Sequence, residues 1–590
     1  MNRVHSCCDE STMNCMTLIA GREVSFNHRV LVGHNEDDPG HLTVRHAYVP
    51  AQDWDAGSVL PAEEGCAQIP QVPHTYGYYW IEFKNDRGGI TTADAFANEN
   101  GVVITTNSMG RSREDMEDAS VVRDGGIGYN LRRVLAERSK SARDGARVLM
   151  DMVETWGYAL SGRAYTIADK DEAFMFQLVR GRHYIGARVP DNAVAVMPNH
   201  YNFHTLQDCP EMFYSEDLVS YAVEKGWYVP KQSGDFSDFD FAAAYQHEET
   251  WHNPANMLRQ KHGQRLVLRR PWDLETEGIP FVVYPDHPME VQTFAEVLSN
   301  HYEGTEDDCE RFGPGRSPHN VPNTRRICTG TTLESNIYVF DERPELLTVY
   351  SCLGRPCQLP YLPLHPLSGV PEELREDMDP TRMMAEHLQP EPGILCCTDS
   401  LRQRMRDLEC RLEMVYCDEI DQVRTILAKL LADAQGENAA TVDALRPLLS
   451  EGDFEAAGRC ACERDGAFIR RALEALEDYA RGHASDVRID ALPVLDRAAA
   501  PETLTLTLHT GLELRCEGMI FGIEHTDTRQ YYAAAKEGTL RKLDARTYSV
   551  EFPTAAFLPG LTAAGSHAFW LGGNDVSGRA FAASTIVEVR

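Results

Sequence analysis

The sequence predicts an α+β chain in three parts: a layered region of strands and helices, a helical segment, and an all-β tail. Three observations predict this. Up to about residue 200, short apolar runs alternate with turns; residues 372–483 carry apolar residues at 3/4 spacing; the last hundred residues return to strict alternation. At 590 residues the chain is long enough for several cores.

The first element, "CMTLIAGREVSFNHRVLVGHNEDD" (15–38), places two apolar runs around a turn and reads as a β-hairpin headed by Cys15. "GVVITTNSM" is a buried strand, and "AYTIADKDEAFMFQLVRGRHYIGARV" (164–189) holds three strand-length runs of an antiparallel meander. Two helices fall between them, one near Tyr129 to Arg138 and one opened by Ser141 with Asp144 three residues on. The second aligns Ala146, Leu149, Met152, Val153 and Trp156 on one face. A further helix is expected at Glu216 to Lys225, and strands at "SNIYVF" and "ELLTVYSCL". After "GRPCQLPYLPLHPLSG" (354–369) the pattern becomes helical, with Met405, Leu408, Leu412, Val415, Val423, Ile426, Leu427 and Leu430 in one stripe, read as ordinary packing. "TLTLTLHTGLELRC", "TYSVEF" and "STIVEV" then predict an all-β sandwich. The boundaries are a leader at 1–14, a main domain at 15–370, a helical segment at 371–484 and a β-rich domain at 485–590.

Composition excludes several classes. The formal charge of −33 repels nucleic acid and anionic membranes. No apolar run reaches membrane-spanning length, and "MNRVHSCCDESTMN" lacks an apolar signal core, so a cytoplasmic protein is expected. The 16 cysteines have no regular spacing and are read as reduced thiols. "CACE" (460–463) and Cys396–Cys397 lack zinc-site spacing, so structural zinc is set aside. No helical His-x-x-x-His with an adjacent Glu is present, which argues against a metallopeptidase and predicts chelator insensitivity.

A cysteine at a chain's amino terminus carries a base with it. Its α-amine, with an ordinary pKa of about 7.7–8.0, lies one residue from the thiol and can take its proton. Cys15, behind only 14 residues, suits this role once its amine is freed.

The segments "CMTLIAG…VLVGHNEDD", "FANENGVVITTNSM", "GRHYIGARVPDNAVAVMPNHYNF", "DLVSYAVEKGWY", "FDFAAAY", "SNHYEGTEDD" and "RRICTGTTLESNIYVF" resemble, in this order over residues 15 to 370, the C69 peptidases. These are dipeptidases of the N-terminal nucleophile hydrolase superfamily, related to secernins. The resemblance implies a four-layer αββα sandwich with Cys15 as nucleophile at the start of a central strand. It also implies that the Asn14–Cys15 bond is cleaved, by attack of the Cys15 thiol on the Asn14 carbonyl.

Further residues match family positions. Asp37 would orient the freed amine and thiol, and is otherwise a turn residue. Asn107 and Asn199, at strand ends, would donate to an oxyanion; a neutral amide does so without adding charge. Arg325 matches an arginine before the late strand, and Arg326 beside it could take its place. His34, Asn35 and Arg326 are assigned to substrate binding. His34 stands where related chains usually carry Arg or Lys, which implies a steeper pH dependence. "SNHYEGT" lacks the usual Arg-Asp-His start, and Thr331 replaces a common arginine, so substrate contacts are expected to differ.

The expected activity is therefore cleavage of small peptides, with neither a metal nor an organic cofactor required. Two alternatives stay open: an N-acyl amide hydrolase, and a non-catalytic secernin-like scaffold. Partners are confined to a small peptide substrate, with no nucleic acid and no membrane, and homo-oligomer formation stays open.

Overall fold

The computed structural model describes residues 15–37, 42–85, 89–90, 92–232, 234–251, 253–308, 317–320, 326–375, 387–388, 390–391, 401–523, 531–561 and 564–590. The opening hairpin is present: β1 (Met16–Ala20) pairs antiparallel with β2 (Leu31–Asp37), with Thr17 opposite His34 and Met16 opposite Asn35. Further strands are β3 (Leu42–Val49), β4 (Tyr78–Asn85), β5 (Thr92–Asn98) and β6 (Val103–Ser108). Helices α1 (Asn130–Arg138) and α2 (Ala142–Trp156) follow. Ser141 caps α2 by accepting from the Asp144 amide at 3.2 Å; the Asp144 carboxylate reaches back to the Lys140 amide at 3.0 Å, one residue beyond the reciprocal contact of a capping box.

The meander forms as β7 (Tyr158–Ala168), β8 (Ala173–Gly181) and β9 (Tyr184–Arg188), followed by β10 (Val194–Met197) and β11 (Met212–Tyr214). The helix expected at Glu216 to Lys225 spans Leu218–Glu224. The stretch from 204 to 300 also contains α3 (Pro254–Leu268), β12 (Val282–Val283) and α4 (Val291–Leu298); α3 and α4 were not expected. Strands β13 (Thr332–Val339), β14 (Thr348–Cys352) and β15 (Leu362–Leu364) complete the region.

Two antiparallel sheets result. One has the order β12-β10-β1-β2-β13-β14-β15 and the other β11-β9-β8-β7-β6-β5-β4-β3. Period-2 alternation divides the second sheet between two apolar clusters. Trp80, Phe96, Ile104, Tyr165 and Phe176 pack with Leu131, Val134, Leu149 and Val153 of α1 and α2. Ile81, Ala97, Val103, Met175 and Ile185 join the first sheet in the other cluster. On the first sheet α4 approaches closely at Gly33, where a Cβ would lie 2.6 Å from Phe294 Cδ1. Glycine there lets the helix settle onto β2.

Helices α5 (Leu401–Glu451) and α6 (Phe454–Gly482) form the helical segment. The predicted stripe buries Met405, Leu412, Val415, Val423 and Leu430, and Val415 leaves helical geometry, kinking α5. The chain ends in two four-stranded sheets around Leu504, Leu506, Leu508, Phe521, Val550, Phe552 and Phe569. Trp570 of these sheets packs against the α5 residues Cys410, Leu412 and Met414. Among the described residues no helix is long and apolar enough to cross a membrane.

Candidate active site

Cys15 immediately precedes β1, and the β1–β2 register, continued by one step, puts it opposite Glu36. Its Sγ lies 3.8 Å from Glu36 Oε2 and 3.7 Å from the Asp37 carbonyl, and the residue is 3% exposed. Burial pushes the thiol pKa well up, and the Glu36 and Asp37 carboxylates push it further. The resting group is a thiol.

The Cys15 carbonyl is held by a residue that the sequence reading did not single out. Arg259, on α3 and fully buried, donates from Nη1 to this oxygen at 2.9 Å, and from Nη2 to Asn199 Oδ1 at 2.9 Å and to Asn256 Oδ1. Asn253 caps α3 on the Ala255 amide, with Pro254 in the first turn. That Asn-Pro start was the available sequence signal. Burial lowers the Arg259 pKa, and nearby Tyr302, Asp37 and Cys15 oppose the shift.

The two asparagines stitch the sheets together at this end. Asn107 Nδ2 on β6 donates to the Met197 carbonyl at 3.1 Å, and Asn199 Nδ2 donates to the Ser108 carbonyl at 2.7 Å. Each amide carries a second N–H. Ser108, Met109, Gly110, Asn199, Thr250, Asn253 and Asn256 line a cleft beside them.

Hydrogen-bond inventory fixes proton positions between Asn107 and Cys15. Because Asn107 Nδ2 faces a carbonyl, its Oδ1 faces Thr17, whose hydroxyl must donate at 2.6 Å. Thr17 Oγ1 then accepts from His34 Nδ1–H at 2.8 Å. His34 Nε2 faces Glu36 Oε2 at 3.0 Å, so one proton lies between them. Burial lowers the His34 pKa, against the attraction of Asp94 and Asp37. His34 is thus no fixed cation here. The buried guanidinium of Arg259 supplies a positive charge on the carbonyl side of Cys15.

Asp37 is cradled on the other side of β2. Its Oδ1 accepts from Thr329, Thr332 and Thr331 hydroxyls at 2.7, 2.8 and 3.3 Å. Its Oδ2 is buried without a hydrogen-bond partner among the described residues. Burial raises the Asp37 pKa, while the Thr329 and Thr332 hydroxyls lower it.

The model of Peptidase family C69 matches residues 14–347, more than half of the chain. The chain belongs to peptidase family C69. Its match with a protein named probable dipeptidase B from Lactococcus lactis subsp. lactis (strain IL1403) is 24% identical over 316 residues, 52% of this chain and 64% of that one. A probable dipeptidase from Latilactobacillus sakei is 19% identical over 459 residues, covering 74% of this C69 chain and 95% of the relative. One from Salmonella dublin is 25% identical over 366 residues, covering 60% and 80%. Among solved structures, a mutant conjugated bile acid hydrolase from Clostridium perfringens matches 57% of the chain and 88% of its own at 11% identity and a TM-score of 0.27.

Of the residues singled out in the C69 sequence, Cys15, His34, Asp37, Asn107 and Asn199 are linked through Thr17, Glu36 and Arg259. Asn35 turns its amide the other way, donating to the Leu298 and Ile327 carbonyls at 2.8 and 3.1 Å. Arg326 is buried, 5.3 Å from the Tyr302 ring centre. Arg325 lies outside the described residues. Thr331, noted for replacing an arginine, is part of the Asp37 cradle.

Two groups of side chains have the composition of metal ligands. His34, Glu36 and Asp94 form one beside Cys15; His301, His319, Cys328 and Cys357 form the other. The second was not among the cysteine groups weighed from the sequence. Its four members come from separate segments, so linear spacing could not reveal them.

Proposed function

We propose that this C69 chain is a cysteine-type N-terminal nucleophile hydrolase of small peptides, built as a four-layer αββα sandwich over residues 15–370. The observation that carries the reading is Asp37: its carboxylate acts electrostatically on Cys15, its main-chain carbonyl lies 3.7 Å from the Cys15 sulfur, and its buried Oδ2 has no hydrogen-bond donor among the described residues. An ammonium or amine freed at Cys15 would supply that donor. Cleavage of Asn14–Cys15 then follows from attack of the Cys15 sulfur on the Asn14 carbonyl. The acyl group moves from nitrogen to sulfur, and water hydrolyses the thioester to release residues 1–14.

In the mature protein the Cys15 amine takes the thiol proton as sulfur attacks the peptide carbonyl. The second N–H bonds of Asn107 and Asn199 stabilise the oxyanion. The amine passes its proton to the leaving nitrogen, and water cleaves the thioester. Arg259 holds the Cys15 carbonyl and Asn199 in register and is a positioning residue. The names of the C69 relatives support a dipeptide substrate. Residues 371–484 are proposed as a helical segment and 485–590 as a β-rich domain, and the protein as cytoplasmic.

The test is the mass of the mature amino terminus together with a panel of dipeptides and N-acyl amino acids. A chain starting at Cys15 that cleaves dipeptides, and a Cys15→Ala chain that keeps its leader and cleaves neither, are expected. An active chain with an intact leader would refute the mechanism.

A further inference from the structure

The quartet His301, His319, Cys328 and Cys357 lies outside the candidate active site, and its members converge. His301 Nε2 and His319 Nε2 are 3.1 Å apart, Cys328 Sγ and Cys357 Sγ 3.5 Å, and His319 Nε2 lies 3.3 Å from Cys357 Sγ and 3.8 Å from Cys328 Sγ. All four atoms are within 4.8 Å of one another. A tetrahedral zinc with bonds of about 2.3 Å to sulfur and about 2.0 Å to nitrogen requires edges of roughly 3.3–3.8 Å. Four of the six edges, at 3.1, 3.3, 3.5 and 3.8 Å, lie at or close to that range, and the other two are under 4.8 Å.

The outer nitrogens of both rings face carboxylates. His319 Nδ1 faces Glu413 Oε1 at 2.6 Å, and His301 Nδ1 faces Glu303 Oε1 at 3.1 Å. With each Nδ1–H directed at a carboxylate, both Nε2 lone pairs point at each other and toward two sulfurs. Four such donor atoms converging at one point can share protons or be held together by a single metal ion. The carboxylates behind the rings are the partners that orient metal-bound histidines and raise their basicity. Arg355 Nη1 at 2.9 Å and Gln358 hold Glu413, and Arg424 Nη2 at 2.8 Å holds Glu303.

We propose that His301, His319, Cys328 and Cys357 bind one zinc ion as a structural site. Two thiolates balance the ion's charge, and their two protons are released on binding. Four protein ligands leave no open position for substrate or water, which separates this site from a catalytic zinc. The ligands span residues 301 to 357, and Glu413 brings α5 against them. Cys328 directly precedes Thr329, whose hydroxyl lies 2.7 Å from Asp37 Oδ1. The ion therefore fixes the turn that cradles Asp37.

The test is elemental analysis of the full-length protein purified without added metal, with zinc-edge X-ray absorption of the same sample. About one zinc per chain is expected, with two sulfur and two nitrogen neighbours. Cys328→Ser and Cys357→Ser should each lower the bound zinc at least tenfold, whereas Cys15→Ala should keep it, so the result does not depend on the peptidase reading. Should the serine variants fail to fold, refolding the wild-type chain with cobalt(II) should give thiolate-to-cobalt charge-transfer absorption. Reduced protein that takes up neither zinc nor cobalt would overturn the proposal. So would zinc lacking sulfur neighbours, or a Cys328–Cys357 disulfide in protein kept under thiol.

Discussion

Replacing Thr17 by valine keeps the shape of the side chain and removes one hydroxyl. Two buried groups then lose their partner: Asn107 Oδ1, which receives the Thr17 proton at 2.6 Å, and His34 Nδ1–H, which donates to Thr17 at 2.8 Å. Each unsatisfied buried group costs about 1–3 kcal/mol, so Thr17→Val should destabilise by about 2–5 kcal/mol after the small gain from an added methyl. Thr17→Ser keeps both contacts and leaves only a methyl-sized gap, costing about 1 kcal/mol. Calorimetry should show a melting temperature lower by roughly 3–7 °C for the valine variant and about 1 °C for serine. Asn107 also loses its orientation, and kcat on a dipeptide should fall by up to about 10²-fold for valine alone. Equal melting temperatures for the two variants would refute the proton assignment, because valine would then leave nothing unpaired.

Arg259→Met removes the donor shared by the Cys15 carbonyl, Asn199 and Asn256, and should abolish peptide cleavage; Arg259→Lys keeps the charge without the fork and should retain only a small fraction of kcat. Burial raises the Glu334 pKa to about 8, so the folded chain holds a proton that the unfolded chain releases, and stability falls as pH rises from the ordinary glutamate range through about 8. Glu334→Gln, which still accepts from the Ser351 hydroxyl, should melt at nearly the wild-type temperature at pH 5 and above it at pH 8.5, by on the order of 4 kcal/mol of stability; a constant difference across that window would count against the assignment.

The local parts of the fold were legible because local patterns encode them. The hairpin at Cys15 and the three-strand meander follow from short apolar runs set apart by turns, and the alternating Leu504, Leu506 and Leu508 from a period of two, each within one segment. The Ser141 cap was legible for the same reason. Helix α3 was not, because its buried face carries Asn256, Arg259, Gln260, His262 and Gln264 where an amphipathic stripe would be apolar. Its inward polar residues serve the site: Arg259 reaches across 244 positions of sequence to the Cys15 carbonyl. The zinc ligands were hidden similarly, since His301, His319, Cys328 and Cys357 stand far apart in sequence and only the fold gathers them.

His34 was the departure that left the cysteine without an evident cation, and Arg259 supplies one from another element. The guanidinium sits on the carbonyl side of Cys15, while Glu36 and Asp37 face the thiol and oppose its ionisation. As the proposed nucleophile, Cys15 so placed cannot rely on a standing thiolate; it needs a base that removes the proton only as sulfur attacks. His34 is poorly suited, because its Nδ1 proton is committed to Thr17 and its Nε2 to Glu36. On the proposed reading, release of the leader resolves both difficulties in one event. The new amine provides the base next to the sulfur, and its hydrogens would give Asp37 Oδ2 the donor that it lacks among the described residues. The same carboxylate that suppresses the thiolate beforehand then holds the group that activates it, so processing and activation are coupled through Asp37.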